Sequence, residues 1–147
     1  MGSHYVRLAI NLALSVVIMY LVMFAMIDGL DDLFHNLNTF YMALMMVAPM
    51  AVLMLLVMGS MYENRTLNVV LYIAFVALFV AAFAFTRGQT LIGDEQFLRS
   101  MIPHHSGAIL MCEEASLTDP RIVELCESII QSQSEEIALM KGFLAEG

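Results

Sequence analysis

The sequence has little basic charge, little cysteine and none of the common catalytic motifs. It carries 6 Lys and Arg residues against 14 Asp and Glu residues, and the net charge of -8 argues against nucleic-acid binding. Two cysteines are too few for a disulfide scaffold. There is no His-Glu-x-x-His zinc helix, phosphate-binding loop or nucleophile elbow. Because no nucleophile and base pair is visible, we do not expect an enzyme.

The signature of di-iron helical bundles, Glu-x-x-His, is also missing. Met101 and Ile102 stand where a carboxylate would have to precede His104 or His105. This pattern disfavours oxygen chemistry at a di-iron centre.

Apolar residues, in contrast, are abundant. They make up 61% of the 147 residues, and the mean hydropathy is +0.81, which indicates a membrane protein. Three apolar runs, 5–27, 40–58 and 67–86, are each long enough to cross a hydrocarbon core of about 30 Å. We therefore predict an all-α chain with a three-span transmembrane domain in residues 1–88 and a soluble helical hairpin in residues 89–147.

The charges beside these runs predict an orientation. The connection after the first span carries three acidic residues and no Lys or Arg, whereas the next connection carries Arg65. The positive-inside rule then predicts a cytoplasmic amino terminus and a periplasmic tail, although Arg87 and Arg99 count against it. We expect a multi-pass protein of the bacterial inner membrane.

The tail is predicted to form two helices. Asp94 can cap the first, and Asp119 can cap the second, with Pro120 at its first position. Pro103 predicts either a kink in the first helix or a later start. The surplus of acidic residues in the tail can attract cations, or can simply form a solvated helix face.

Metal-donor side chains concentrate in the tail. A thioether and two imidazoles within residues 101–105 suit a late transition metal, above all copper. A hairpin folded about Leu117–Pro120 places His105 opposite Gln133, and Met101 opposite Ile137. The predicted cluster comprises Met101, His104, His105 and Met140, with Gln133 or Glu136 as additional ligands. The alternative is that one or both histidines are polar surface residues.

The same hairpin places Cys112 opposite Cys126. Three interpretations follow: a disulfide that locks the hairpin, two buried thiols, or a two-thiolate site for Cu(I).

Methionine is over-represented, with 14 residues. The second span holds a series at intervals of four, namely Met42, Met46, Met50, Met54 and Met58. Methionine fills irregular gaps in helix packing, so packing is the default interpretation. The alternative is a soft-metal path, which would make the protein a copper transporter, similar in pattern to the methionine pair in the second span of three-span eukaryotic copper transporters. A third hypothesis is a structural or partner-binding membrane protein without a metal.

Residues 97–111 together with residues 129–140 resemble the bacterial family called domain of unknown function 305. Its hallmark is Met-Ile-Pro-His-His followed by a helix with Gln-x-x-Glu-Ile and a methionine, which Gln133, Glu136, Ile137 and Met140 match. The three Met-rich spans look like the membrane-anchored branch of that family.

This resemblance implies a ferritin-like helical bundle and a link to copper or silver handling. Within the motif, Met101, His104, His105 and Met140 are the positions that carry over. Soluble relatives often hold two copies of the helix pair, and this chain holds one. Two helices of this length bury little apolar surface, so we expect hairpins from two chains to form a four-helix bundle in a dimer or higher homo-oligomer. The function we expect is Cu(I) binding, with Ag(I) as a second ion, for copper tolerance or delivery.

Overall fold

The computed structural model describes residues 2–146, with side chains from residue 4 onward. Within that range the chain is entirely helical and has no strand, which confirms the predicted all-α class. The helices are α1 (Gly2–Val22), α2 (Leu37–Val57), α3 (Arg65–Gly88), α4 (Asp94–Glu114) and α5 (Pro120–Glu146), with 3-10 turns at Leu30–Asp32 and Gly59–Met61.

The first three helices are long and apolar enough to cross a membrane, over His4–Val22, Leu37–Val57 and Arg65–Gly88. The first of them is shorter than predicted, because α1 ends at Val22 although the apolar run continues to Ile27. Phe24, just past the end of α1, is buried, and its ring centroid lies 6.0 Å from that of His35. Phe24 therefore serves tertiary packing instead of extending the helix.

The chain divides into two compact units. The first unit comprises residues up to Met23 together with Asn38–Thr90, and the second comprises Phe24–Leu37 together with residues from Leu91 onward. Phe24–Leu37, which we call the first connection, thus packs with the α4–α5 hairpin, although a long stretch of sequence separates them.

The first unit is held by apolar contacts centred on α2. Its core contains Leu8 and Leu12 of α1 with Val47, Ala51 and Leu55 of α2. Partly buried side chains of α3 pack against the same core. An α-helix satisfies its own backbone hydrogen bonds, so side-chain packing decides how these three helices associate.

In the second unit α4 and α5 run antiparallel. Asp119 precedes α5, and its side chain accepts a hydrogen bond from the backbone N–H of Arg121 (2.9 Å), while Pro120 takes the first helical position as predicted. Close to this turn Cys112 and Cys126 form a disulfide with a Cα–Cα distance of 5.3 Å. The hairpin therefore has a covalent lock at its closed end.

Pro103 does not mark the start of α4, which begins at Asp94 and continues through the proline. Proline lacks an N–H, so the carbonyl of Arg99 loses its helical hydrogen bond. The side chain of Asn36, from the first connection, donates to that carbonyl from 3.4 Å. A defect within α4 is thus compensated by a residue distant in sequence.

The first connection also meets the middle of α4. Ser106 is fully buried, and its hydroxyl accepts a hydrogen bond from the backbone N–H of Asp28 (2.7 Å). A Cβ placed on Gly107 would lie 3.2 Å from the carbonyl oxygen of Met26, so only glycine lets the backbone approach this closely. At the far end, Leu37 N–H donates to the side chain of Gln96 at 2.9 Å.

Candidate functional site

The most highly organised polar contact in the hairpin belongs to His105. This residue is 7% exposed, and its Nε2 lies 2.7 Å from Oε2 of Glu136 on α5. Its Nδ1 lies 2.8 Å from the backbone oxygen of Met101, one turn earlier on α4. Both ring nitrogens of His105 are therefore held, one by each helix.

The partners of His105 define the positions of its protons. A backbone carbonyl only accepts hydrogen bonds, so Nδ1 must donate to Met101. Two arrangements then fit the contact with Glu136. If the carboxylate is ionised it can only accept, so Nε2 donates to it and the ring is an imidazolium. If the carboxyl group is protonated, it donates to Nε2 and the ring is neutral. In either form a metal ion reaches Nε2 only after the contact with Glu136 breaks.

The same contact sets the register between the helices. Met101 lies four residues before His105, and Met140 lies four residues after Glu136. Because α4 and α5 are antiparallel, the two methionines occupy facing positions one turn away from the His105–Glu136 pair. Met140 is buried and Met101 packs against the same apolar cluster, which contains Ile102, Ile109 and Ile137.

This arrangement joins two thioethers and one imidazole within an apolar setting. These donors favour a soft ion, and Cu(I) is the common biological ion that accepts thioether and imidazole ligands together. The hard carboxylate of Glu136 suits such an ion poorly, so we assign it the role of holding the imidazole. Among the described side chains, no group of three or more His, Cys, Asp and Glu residues is placed to hold a metal ion.

Two residues of the predicted cluster lie apart from this arrangement. His104 is exposed, and its ring centroid is 6.0 Å from that of His105, so it points away from the helix interface. Gln133 is half-buried and precedes Glu136 by three residues, which places it a turn nearer the closed end of the hairpin. The register observed is also shifted, because His105 meets Glu136 instead of Gln133.

The cysteine pair offers no thiolate ligand in this structure. Both sulfur atoms of Cys112 and Cys126 are engaged in the disulfide, and no free cysteine is found in the described part of the chain. The two-thiolate site considered above requires the disulfide to be reduced.

The methionine series of α2 does not form one continuous buried row. Met50 and Met54 pack against the core of the first unit, but Met42, Met46 and Met58 are exposed. An interval of four residues drifts around a helix with 3.6 residues per turn, so the series passes from one face to the next. The exposed Asn11 of α1 lies with its Nδ2 3.9 Å from the sulfur of Met54.

Next to Met140, Lys141 of α5 forms ion pairs that join α5 to the first connection. Nζ of Lys141 lies 2.8 Å from Oδ2 of Asp31 and 2.6 Å from Oδ1 of the buried Asp32. The hydrogen bond from Lys141 lowers the pKa of Asp31. Desolvation acts to lower the pKa of Lys141, but the hydrogen bonds and negative charges of Asp31 and Asp32 outweigh it, so this pKa is raised.

Sequence reasoning did not identify the residues that hold the first connection to the hairpin. They are Asp32, Asn36, Ser106, Gly107 and Lys141. One signal was available: Pro103 within a helix predicts a carbonyl at Arg99 that needs an outside donor. Nothing in the sequence pattern indicates which residue supplies it.

Comparisons with known proteins place this geometry in context. Residues 82–144 match the domain of unknown function DUF305, which covers the end of α3 and most of the hairpin. The uncharacterized protein L153 of Acanthamoeba polyphaga mimivirus is 37% identical over 121 residues, which cover 81% of this chain and 78% of that protein. No solved structure matches the chain.

Proposed function

This chain belongs to the DUF305 family, and from that premise we propose that it is a membrane-anchored protein that binds Cu(I) in its α4–α5 hairpin. The ligands are the sulfurs of Met101 and Met140 and Nε2 of His105. The observation that carries the proposal is the register between the helices, which pairs the two methionines one turn from a buried histidine. Ag(I), which has the same ligand preference, is the second ion expected at this site.

The chemistry of binding follows from the contacts of His105. The carbonyl of Met101 keeps the ring in place by accepting a hydrogen bond from Nδ1. Metal-bound histidines are commonly oriented by such an acceptor on the nitrogen that does not bind the metal. Nε2 exchanges its contact with Glu136 for the ion, and the two thioethers approach from the apolar side. Thioethers need no deprotonation, so this ligand set differs from a thiolate site in that respect. The role would be copper tolerance or delivery.

We further propose that the hairpin lies in the periplasm and that hairpins of two chains pair. A disulfide is typical of an oxidising compartment, which agrees with the orientation predicted from the charged residues. Leu125, Leu139 and Phe143 on α5 are each more than half exposed, which is a large apolar surface for a helix outside the candidate membrane spans. Pairing of two such hairpins gives a four-helix, ferritin-like bundle.

Transport through the first unit is the alternative function. The observation that favours it is the contact between the exposed Asn11 and the sulfur of Met54, which gives one methionine of the series a polar neighbour. The exposure of Met42, Met46 and Met58 favours binding over conduction by a single chain. Cu(I) flux into proteoliposomes that is abolished by Met50→Leu with Met54→Leu would favour transport instead.

The test of the proposed function is an anaerobic Cu(I) competition titration on the detergent-purified full-length protein. We expect tight binding that is lost in His105→Ala and retained in the matched control His104→Ala, since only the imidazole of His105 lies at the helix interface. Equal binding by the wild type and His105→Ala would contradict the proposal. Loss in both variants would show that His104 ligates as well, for instance across a pair of hairpins.

A further inference from the structure

A second candidate site lies in the first unit, where α1 begins and α3 begins. A cavity of about 530 Å³ is present at this end. It is lined by His4, Tyr5, Ser60, Met61, Glu63, Asn64 and Leu67. All of these residues belong to the first unit, so the cavity is separate from the hairpin site.

The cavity has a fixed wall. The hydroxyl of Tyr5 donates to Oδ1 of Asn68 at 2.9 Å and accepts from the backbone N–H of Asn64 at 3.2 Å. Asn68 in turn donates from Nδ2 to the carbonyl of Tyr62 at 2.7 Å. The rings of Tyr5 and Tyr62 also lie 5.3 Å apart, so α1, α3 and the segment between α2 and α3 are joined here.

His4 is the unusual member of this lining. Its Nδ1 is buried and has no hydrogen-bond partner among the described residues. A buried polar atom without a partner loses its hydration without gaining a hydrogen bond, and native proteins keep few such atoms. His4 also lines the cavity, and a turn of its imidazole would bring Nδ1 to a ligand held there, which would supply the missing partner.

The neighbours of His4 indicate which ligand fits. Met61 brings a thioether and Glu63 brings a carboxylate to the same cavity. The lining favours a cation over an anion, because it contains the carboxylate of Glu63 and no Lys or Arg. A thioether discriminates against Mg²⁺ and Ca²⁺, which take oxygen ligands.

We propose that this cavity is a second Cu(I) site, with Nδ1 of His4 and the sulfur of Met61 as ligands and Glu63 as the balancing charge. It does not depend on the hairpin, and it stands whether or not the hairpin binds copper. In a chain that crosses the membrane three times, the amino terminus and the α2–α3 connection share one side of the membrane.

The experiment uses the full-length protein in detergent, with Met101→Leu, His105→Ala and Met140→Leu combined to remove the hairpin donors. We expect this background to retain one equivalent of Cu(I) in an anaerobic competition titration. Adding His4→Ala or Met61→Leu should remove that equivalent. X-ray absorption at the copper edge should show nitrogen and sulfur scatterers around copper in the background protein. Met61→Leu should abolish the sulfur scattering.

Met58→Leu provides a matched control. Met58 and Met61 are each 38% exposed and lie in the same segment, but only Met61 lines the cavity. Met58→Leu should keep the equivalent of copper, and circular dichroism should show unchanged helicity in every variant. Retention of copper in both His4→Ala and Met61→Leu would overturn the proposal, and so would a background protein that binds none.

The two proposals fail separately. Copper bound by the wild type, lost with His4→Ala and unaffected by His105→Ala would remove the hairpin site and keep the cavity site. Copper lost with His105→Ala and unaffected by His4→Ala would do the opposite.

Discussion

Methionine occurs in both compact units, but its surroundings differ between them. In the first unit Met42 and Met46 of α2 are exposed, and so is Met58 just after the end of that helix. In the second unit Met101 and Met140 come from two helices, pack in one apolar cluster, and lie a turn from a buried histidine. On our proposal, methionines from separate helices that converge beside an imidazole form the donor set, whereas a high methionine count in one helix does not.

The forces that hold the two units also differ. Apolar contacts centred on α2 hold the first unit. The second unit has an apolar cluster between α4 and α5, and in addition a disulfide, the Lys141 ion pairs and hydrogen bonds between the first connection and α4. Changes in polar groups should therefore affect the second unit more than the first.

The largest expected effect on stability comes from the disulfide. Cys112 and Cys126 are 14 residues apart, and closing a loop of that size stabilises the folded hairpin by about 3 kcal/mol. Cys112→Ser with Cys126→Ser should lower the unfolding free energy of the hairpin by that amount, measured by hydrogen exchange of α4 and α5. Exchange in α1–α3 is the internal control. An equal loss in both units would show that they unfold together.

The methionine comparison gives the next effect. Met101→Leu with Met140→Leu should weaken Cu(I) binding by on the order of 100-fold, which is about 2.7 kcal/mol. Leucine preserves the apolar packing, so the loss reports the thioethers themselves. Met42→Leu with Met46→Leu should leave the affinity of the hairpin unchanged in the same titration. If the second pair costs as much as the first, the distinction between the two units is wrong.

Two helical glycines test the approach of the first connection to α4. Gly107→Ala places a methyl group 3.2 Å from the carbonyl oxygen of Met26 and should destabilise the second unit by about 2 kcal/mol. Gly142→Ala has nothing within 4 Å of the added atom and should stabilise α5 by about 0.5–1 kcal/mol. Thermal unfolding followed by circular dichroism compares the two. Effects of the same sign would argue against close contact at Gly107.

The ion pairs of Lys141 should give the smallest effect. Lys141→Met should destabilise the second unit by about 1 kcal/mol at neutral pH. The pKa of Asp31 is lowered in the folded state, so its contribution is present above the ordinary pKa of about 3.9 and is lost as the pH falls through the lower folded value. The pKa of Lys141 is raised, so its contribution is present below about 10.4 and is lost as the pH rises through the higher folded value.

Hydrogen exchange of the first connection between pH 3 and pH 7 measures the acid side of this dependence. Lys141→Met should flatten the pH profile, while the control Arg121→Met should not, because the Arg121–Asp119 pair lies at the other end of the hairpin. An unchanged profile in Lys141→Met would mean that other carboxyl groups cause the acid sensitivity.

Several features of this protein follow from the sequence alone. An α-helix satisfies its own backbone hydrogen bonds, so long apolar runs predict α2 and α3 closely, and Pro120 predicts the start of α5. The opposition of Cys112 and Cys126 follows from the position of one turn. The donors Met101, His105 and Met140 are visible as residue types in the sequence.

The tertiary structure decided the remaining features, because they depend on contacts between residues distant in the chain. The partner of His105 is Glu136 instead of Gln133, since a shift of three residues changes which side chains meet across two helices. The early end of α1 and the anchoring of the first connection through Asn36 and Ser106 depend on packing that no local pattern encodes. Helical propensity depends on neighbouring residues, whereas the residues that a side chain contacts across two helices depend on the folded structure.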